Sequence, residues 1–144
     1  FGGLDYDPRR EEGDHFRHLT EVLSADSGAG SGDFADTGIK LESPRRAFGG
    51  VKVGSKYYML GGMKEDFQLV DSCDAFDFEN KTWSRISSPE RTRLSPEAAV
   101  IGNQIYLAGG MSPAADGEGI EPNRSLEVYD TTNDTMMWSE PCDS

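Results

Sequence analysis

Cysteine is scarce in this chain. Cys73 and Cys142 are the only two, and no CxxC pair occurs. A disulfide framework or a cysteine-rich zinc site is therefore excluded as the organising device of the fold. The spacing leaves both two separate thiols and a single bond open. Histidine is equally scarce, with His15 and His18 confined to one short stretch. Cations are outnumbered: 14 Lys and Arg face 26 Asp and Glu, for a net charge of −12. Such a balance excludes a nucleic-acid surface, which needs Lys and Arg against phosphates. It also excludes docking on anionic lipid. No apolar run approaches the roughly 20 residues of a membrane helix, so membrane insertion by a helix is not expected. No long amphipathic helical pattern occurs either. The 35% hydrophobic content suffices for one core.

What the chain has instead is repetition, the first thing to look for in such a sequence. "VKVGSKYYMLGGM" (Val51 to Met63) aligns without a gap on "AVIGNQIYLAGGM" (Ala99 to Met111), 48 positions later. Gly54 pairs with Gly102, Tyr58 with Tyr106, and Gly61-Gly62 with Gly109-Gly110. Each copy reads as strand, tight glycine turn, strand, double glycine. "GS" and "GN" suit two-residue hairpin turns with positive φ. Further on, "DFENKTW" (Asp77 to Trp83) matches "DTTNDTM" (Asp130 to Met136) at an offset of 53. The growth of the offset places an insertion of five residues in a surface loop after the second strand. Trp138 lies two residues beyond the Trp83 equivalent, on the same strand face.

A partial third copy opens the chain. Phe1-Gly2-Gly3 supplies the double glycine, "LTEVLS" (Leu19 to Ser24) matches "SLEVYD" (Ser125 to Asp130), and "TGIKLESPRR" (Thr37 to Arg46) matches "TWSRISSPER" (Thr82 to Arg91). Glu21 falls on Glu127, and Gly38 stands where Trp83 would be, so the outer strand of this copy is degenerate.

A period near 50, four short strands per copy and a double glycine after the second strand resemble the kelch repeat. Gly61, Gly62, Tyr58, Phe76 and Trp83 carry the resemblance in one copy, and Gly109, Gly110, Tyr106, Tyr129 and Trp138 in the other. The resemblance implies an all-β fold: part of a kelch-type β-propeller built of four-stranded antiparallel blades. Residues 1–43 would be a partial blade with a Gly-rich loop, 44–92 a second blade and 93–144 a third. The double glycines should let the backbone turn out of the blade and a neighbouring blade approach closely. The two tryptophans should pack between blades near their outer strands. The resemblance implies closure with about five to seven blades, so the chain should be completed by further blades of its own polypeptide or by copies of itself.

Candidate sites are few. "EEGDHFRH" crowds Glu11, Glu12, Asp14, His15 and His18 together. An iron motif of some plant kelch proteins, E-x3-D-x3-H, is met at Asp14 and His18 but has Arg10 in its first position. A solvated charged loop is the expectation, with no metal, cofactor or catalytic residues assigned. Neither G-x-S-x-G nor HExxH occurs, and the clustered histidines do not match the galactose-oxidase-like copper enzymes of the family. The Gly-rich stretch Ala25 to Asp36 reads as a flexible excursion between the third and fourth strands.

Binding candidates are Arg45, Arg46 and Arg93 near the blade junctions, with Asp66 and Phe67 in the charged loop "MKEDFQLVD". Arg45 and Arg93 stand 48 positions apart. Each would either fork onto a ligand carboxylate or tie one blade to the next through a backbone carbonyl. Phe67 has the character of an interface anchor. The function implied is a protein-binding scaffold with its loops as recognition surface, the partner being another protein or the remaining blades. The alternative is a kelch-type enzyme or sugar-binding protein, similar to sialic-acid mutarotase, with its site largely in other blades.

Overall fold

The computed structural model describes residues 4–6, 16–18, 21–24 and 35–138, with side chains from 38 to 134. Every regular element among them is a β-strand. The chain divides into two compact units, Phe1–Arg46 and Ala47–Ser144.

In the first unit, β1 (Leu4–Tyr6) pairs antiparallel with β2 (Phe16–His18), and β3 (Glu21–Ser24) pairs with β4 (Ala35–Lys40). The residues after the first double glycine were expected to be loop, yet they open on the short β1–β2 ribbon. The degenerate outer strand does form. It runs through Gly38 at a φ of 74°, where the register slips between Glu21 and Leu23. A bulge thus absorbs the irregularity. Phe1-Gly2-Gly3, His15, Cys142 and most of the Gly-rich stretch lie outside the described residues.

The second unit holds two four-stranded meanders. The first runs β5 (Gly49–Val53), β6 (Lys56–Leu60), β7 (Cys73–Asp77) and β8 (Thr82–Ile86). The second runs β9 (Glu97–Ile101), β10 (Gln104–Ala108), β13 (Leu126–Asp130) and β14 (Thr135–Trp138). A two-stranded ribbon, β11 (Met111–Pro113) with β12 (Ile120–Pro122), stands between β10 and β13. It occupies the place of β1–β2 after the first double glycine. In the first meander the same loop is reduced to a single bridge, Met63 to Leu69.

Both copies solve the same turns with the same chemistry. The β5–β6 and β9–β10 turns span two residues, with Gly54 (φ 59°) and Gly102 (φ 62°) first. Positive φ at the first turn position alone gives the hand that suits twisted strands. In the next turn at the same end of the sheet, Asp77 Oδ1 accepts the backbone N–H groups of Glu79 and Asn80, while Asn80 Nδ2 donates to Asp77 Oδ2. Asp130 and Asn133 repeat the pattern. This explains why Asp and Asn recur at fixed spacing. The bonds from the Asn80 and Glu79 backbone also hold the Asp77 carboxyl below its ordinary range, that of Asn80 foremost.

The core lies between the two meanders. Tyr58, Leu60, Cys73 and Ala75 of the first pack on Ile105, Leu107 and Tyr129 of the second. Alternate residues of each strand supply this face, as the two-residue period of a strand requires. The rings of Tyr58 and Tyr129 meet at 5.9 Å across the seam. Gly49 provides the close fit between the innermost strands: a Cβ there would press on Pro96 and Ala98. Tyr106, the sequence equivalent of Tyr58, points to the other face of its sheet. It is half-buried, and Ile101 on the same face is 66% exposed.

Candidate protein-interaction face

The segment between the two meanders, residues 87–96, carries the site's framework. Arg93 is completely buried, and all five of its N–H donors are used. Nε and Nη2 both donate to Glu127 Oε2, at 3.1 and 2.7 Å. Nη1 donates to the carbonyls of Gly109 and Ser125 at 2.9 and 3.1 Å. Nη2 also reaches Ser125 Oγ at 2.7 Å. The other oxygen of Glu127 accepts the backbone N–H of Glu90 at 2.6 Å. A buried ion pair holds only when its remaining hydrogen-bonding positions are met, and here they are. Asn123 extends the network, donating to Ser112 Oγ and accepting from Ser125 Oγ and the Ser125 backbone.

Arg93 is therefore committed inside the second meander, where its guanidinium has no remaining donor for a ligand. Arg45 is also buried, at 1% exposure, and its Nε donates to the Ser43 carbonyl at 3.2 Å. Arg46 is half-buried. Sequence reasoning did not single out Glu127, Ser125 or Asn123. The match of Glu127 to Glu21 in the repeat was the signal that could have found the first of them.

The double glycines meet this same segment. Gly62 N–H donates to the Arg93 carbonyl at 2.9 Å. A Cβ on Gly61 (φ 68°) would run into that carbonyl oxygen, and one on Gly110 (φ 79°) into the carbonyl of Leu94. Gly109 (φ 65°) has open space around it. Leu94 and Met111 exchange both backbone hydrogen bonds, at 2.7 and 2.8 Å. Arg93-Leu94 thus serves as a shared rail for the bases of two neighbouring loops, 63–72 and 111–125. Arg91 braces the second loop, with Nη2 at 2.7 Å from both the Pro113 carbonyl and Glu121 Oε1.

Phe67 sits at the tip of the first loop and is 76% exposed. Its φ is 62°, a conformation that bulky residues avoid. The turn is held by Phe67 N–H to the Lys64 carbonyl, Lys64 N–H to the Gln68 carbonyl, and Gln68 N–H to Asp66 Oδ1. Asp66 therefore shapes the turn that presents the ring. Strained backbone at an exposed tip is where recognition residues concentrate.

Aromatic packing occupies the outer strands. Trp83 is half-buried and meets Phe76 of its own sheet at 5.0 Å, with Phe78 edge-on to Phe76 at 5.2 Å. Trp138 pairs with Glu127 in the β13–β14 register. On the seam between meanders, Tyr129 donates to Asp134 Oδ1 at 2.6 Å. Asp134 Oδ1 also accepts Ser87 N–H, and its carbonyl accepts Ser87 Oγ. Burial first, and the bond to Asp134 second, push the Tyr129 phenol well above its usual range. The Tyr129 hydrogen bond, followed by that from Ser87, holds the Asp134 carboxyl below its usual range.

Two consecutive four-stranded meanders, packed face to face and joined at their innermost strands, define blades of a β-propeller. The Kelch motif model matches residues 92–135, from just before β9 to the first residue of β14. Kelch-like protein 25 of Homo sapiens is 32% identical over 92 residues, covering 64% of this chain and 14% of that protein. An F-box/kelch-repeat protein of Arabidopsis thaliana is 31% identical over 91 residues, covering 63% of this chain and 23% of the relative. Among solved structures, that of YjhT superposes with a TM-score of 0.58 at 16% identity, over 68% of this chain and 28% of the other. The chain belongs to the kelch-repeat family. It spans 14% of the first of these relatives.

Proposed function

We propose that this segment serves as a protein-binding scaffold, with the loops 63–72 and 111–125 as its recognition surface. The observation that carries the reading is Phe67: a large aromatic side chain, 76% exposed, on a backbone at φ 62°. Burial does not account for an aromatic residue there, because it is 76% exposed. Backbone preference cannot account for it, because Gly or Asn would fit that φ at lower cost. An anchor for another protein accounts for both. The name of one relative, an F-box/kelch-repeat protein, agrees with repeats that work alongside another module. Arg93 fits the framework in this reading and Asp66 and Phe67 the surface, while Arg45 and Arg46 belong to the first unit.

The test is site-specific photo-cross-linking in cells. A benzophenone amino acid is placed at position 67 of the full-length protein, and in a second variant at position 79, in the turn at the opposite end of the sheet. Protein adducts from position 67 and not from 79 support the reading. Equal adducts from both, or none from either, overturn it.

A further inference from the structure

Phe67 is not alone at this end of the blades. Ile120, in the ribbon of the neighbouring loop, is 48% exposed and pairs with Pro113. The two loops are fixed side by side, since Gly62 bonds to Arg93 while Leu94 bonds to Met111. Two exposed apolar residues therefore lie on loops anchored to one segment, which the buried Arg93–Glu127 pair holds. Around them the charge is one-sided. The two loops carry Glu65, Asp66, Asp71, Asp116, Glu118 and Glu121 against Lys64 and Arg124. All but Glu121 of these carboxylates are on exposed residues, and Glu121 is already met by Arg91 at 2.7 Å.

From this juxtaposition we propose that the two loops form one docking surface for a basic segment of another protein that also carries apolar side chains. Phe67 and Ile120 would take the apolar groups. The surrounding carboxylates would take lysines and arginines, and would repel acidic segments. The inference rests on the loop face being the recognition surface. Apolar contact supplies affinity here, while the exposed charges act mainly through steering and partner choice. A surface of this sign is also wrong for anionic lipid.

The experiment uses the full-length protein and three labelled synthetic peptides of equal length, followed by fluorescence anisotropy at low and physiological salt. One peptide alternates Arg and Leu, one Glu and Leu, and one Arg and Ser. Only the Arg/Leu peptide should bind with measurable affinity, and salt should weaken it. Replacing both apolar residues (Phe67→Ser with Ile120→Ser) should weaken it about tenfold or more. Asp66→Asn with Asp116→Asn should weaken it and flatten the salt dependence. Glu79→Gln, in the turn at the far end, should leave it unchanged. Equal binding of the Glu/Leu or the Arg/Ser peptide overturns the inference, and so does a loss on Glu79→Gln matching that of the loop variants. If no peptide binds while a cross-linker at position 67 still captures protein, the basic-partner inference falls and the recognition face stands.

Discussion

Arg93 and Glu127 form an ion pair 2.7 Å long with side-chain exposures of 0% and 1%. They are 34 positions apart in sequence, yet they join the segment between the blades to the third strand of the second blade. Removing one partner leaves the other charge buried and uncompensated, which costs about 3–5 kcal/mol. Arg93→Met and Glu127→Gln should each lower stability on that scale in denaturant melts. A loss under about 1 kcal/mol would show that the pair does not hold the loop bases together.

Gly109 and Gly110 separate two reasons for a glycine. Both have positive φ, but only Gly110 faces a backbone carbonyl at the place of a Cβ. Gly109→Ala should cost about 1–2 kcal/mol, the ordinary penalty of a left-handed residue. Gly110→Ala should cost more, because Leu94 must move and its paired bonds to Met111 must stretch. Thermal melts of the two variants check the order. Equal losses would contradict the close approach.

Tyr129 and Asp134 give stability a dependence on pH at both extremes. The Asp134 carboxyl is depressed from 3.8 when folded. Its contribution is therefore present above that pH and is lost as pH falls through the folded value. The Tyr129 phenol is raised from 10.0. Its contribution is full below that pH and is lost as pH rises through the folded value. Tyr129→Phe should reduce the alkaline loss, leaving the part due to Tyr57 and Tyr58, whose phenols burial also raises, and should reduce the acid loss. Some acid dependence at Asp134 should remain, since Ser87 N–H still donates to it. An unchanged alkaline limb in pH-dependent melts would contradict the assignment.

The repeating parts of this fold were legible because each needs a particular residue. Gly54 and Gly102 mark the turns, Asp77-Asn80 and Asp130-Asn133 mark the next, and the double glycines mark close approach. The ribbons were not legible. Met111–Pro113 and Ile120–Pro122 are three residues each, too short to show alternation, and both contain proline, which reads as loop. Arg93 was visible as a repeated residue, but its destination depends on Glu127 and Ser125, which only the folded sheet brings near. At Phe67 the sequence showed an apolar residue among charges. Its backbone conformation is a property of the closed turn and has no signature in the residue itself.

The most direct measurement replaces Phe67 by glycine and follows stability and recognition in the same variant. If the ring is there for a partner, the folded protein gains from its removal: the φ of 62° suits glycine and the side chain is mostly in water. The melting temperature of Phe67→Gly should equal or exceed that of the parent, by up to about 1 kcal/mol of stability. Capture of partner protein by a cross-linker placed at the exposed Gln68 should fall sharply in the same background. A lower melting temperature with undiminished capture would mean that Phe67 supports the fold, and that the recognition surface lies elsewhere.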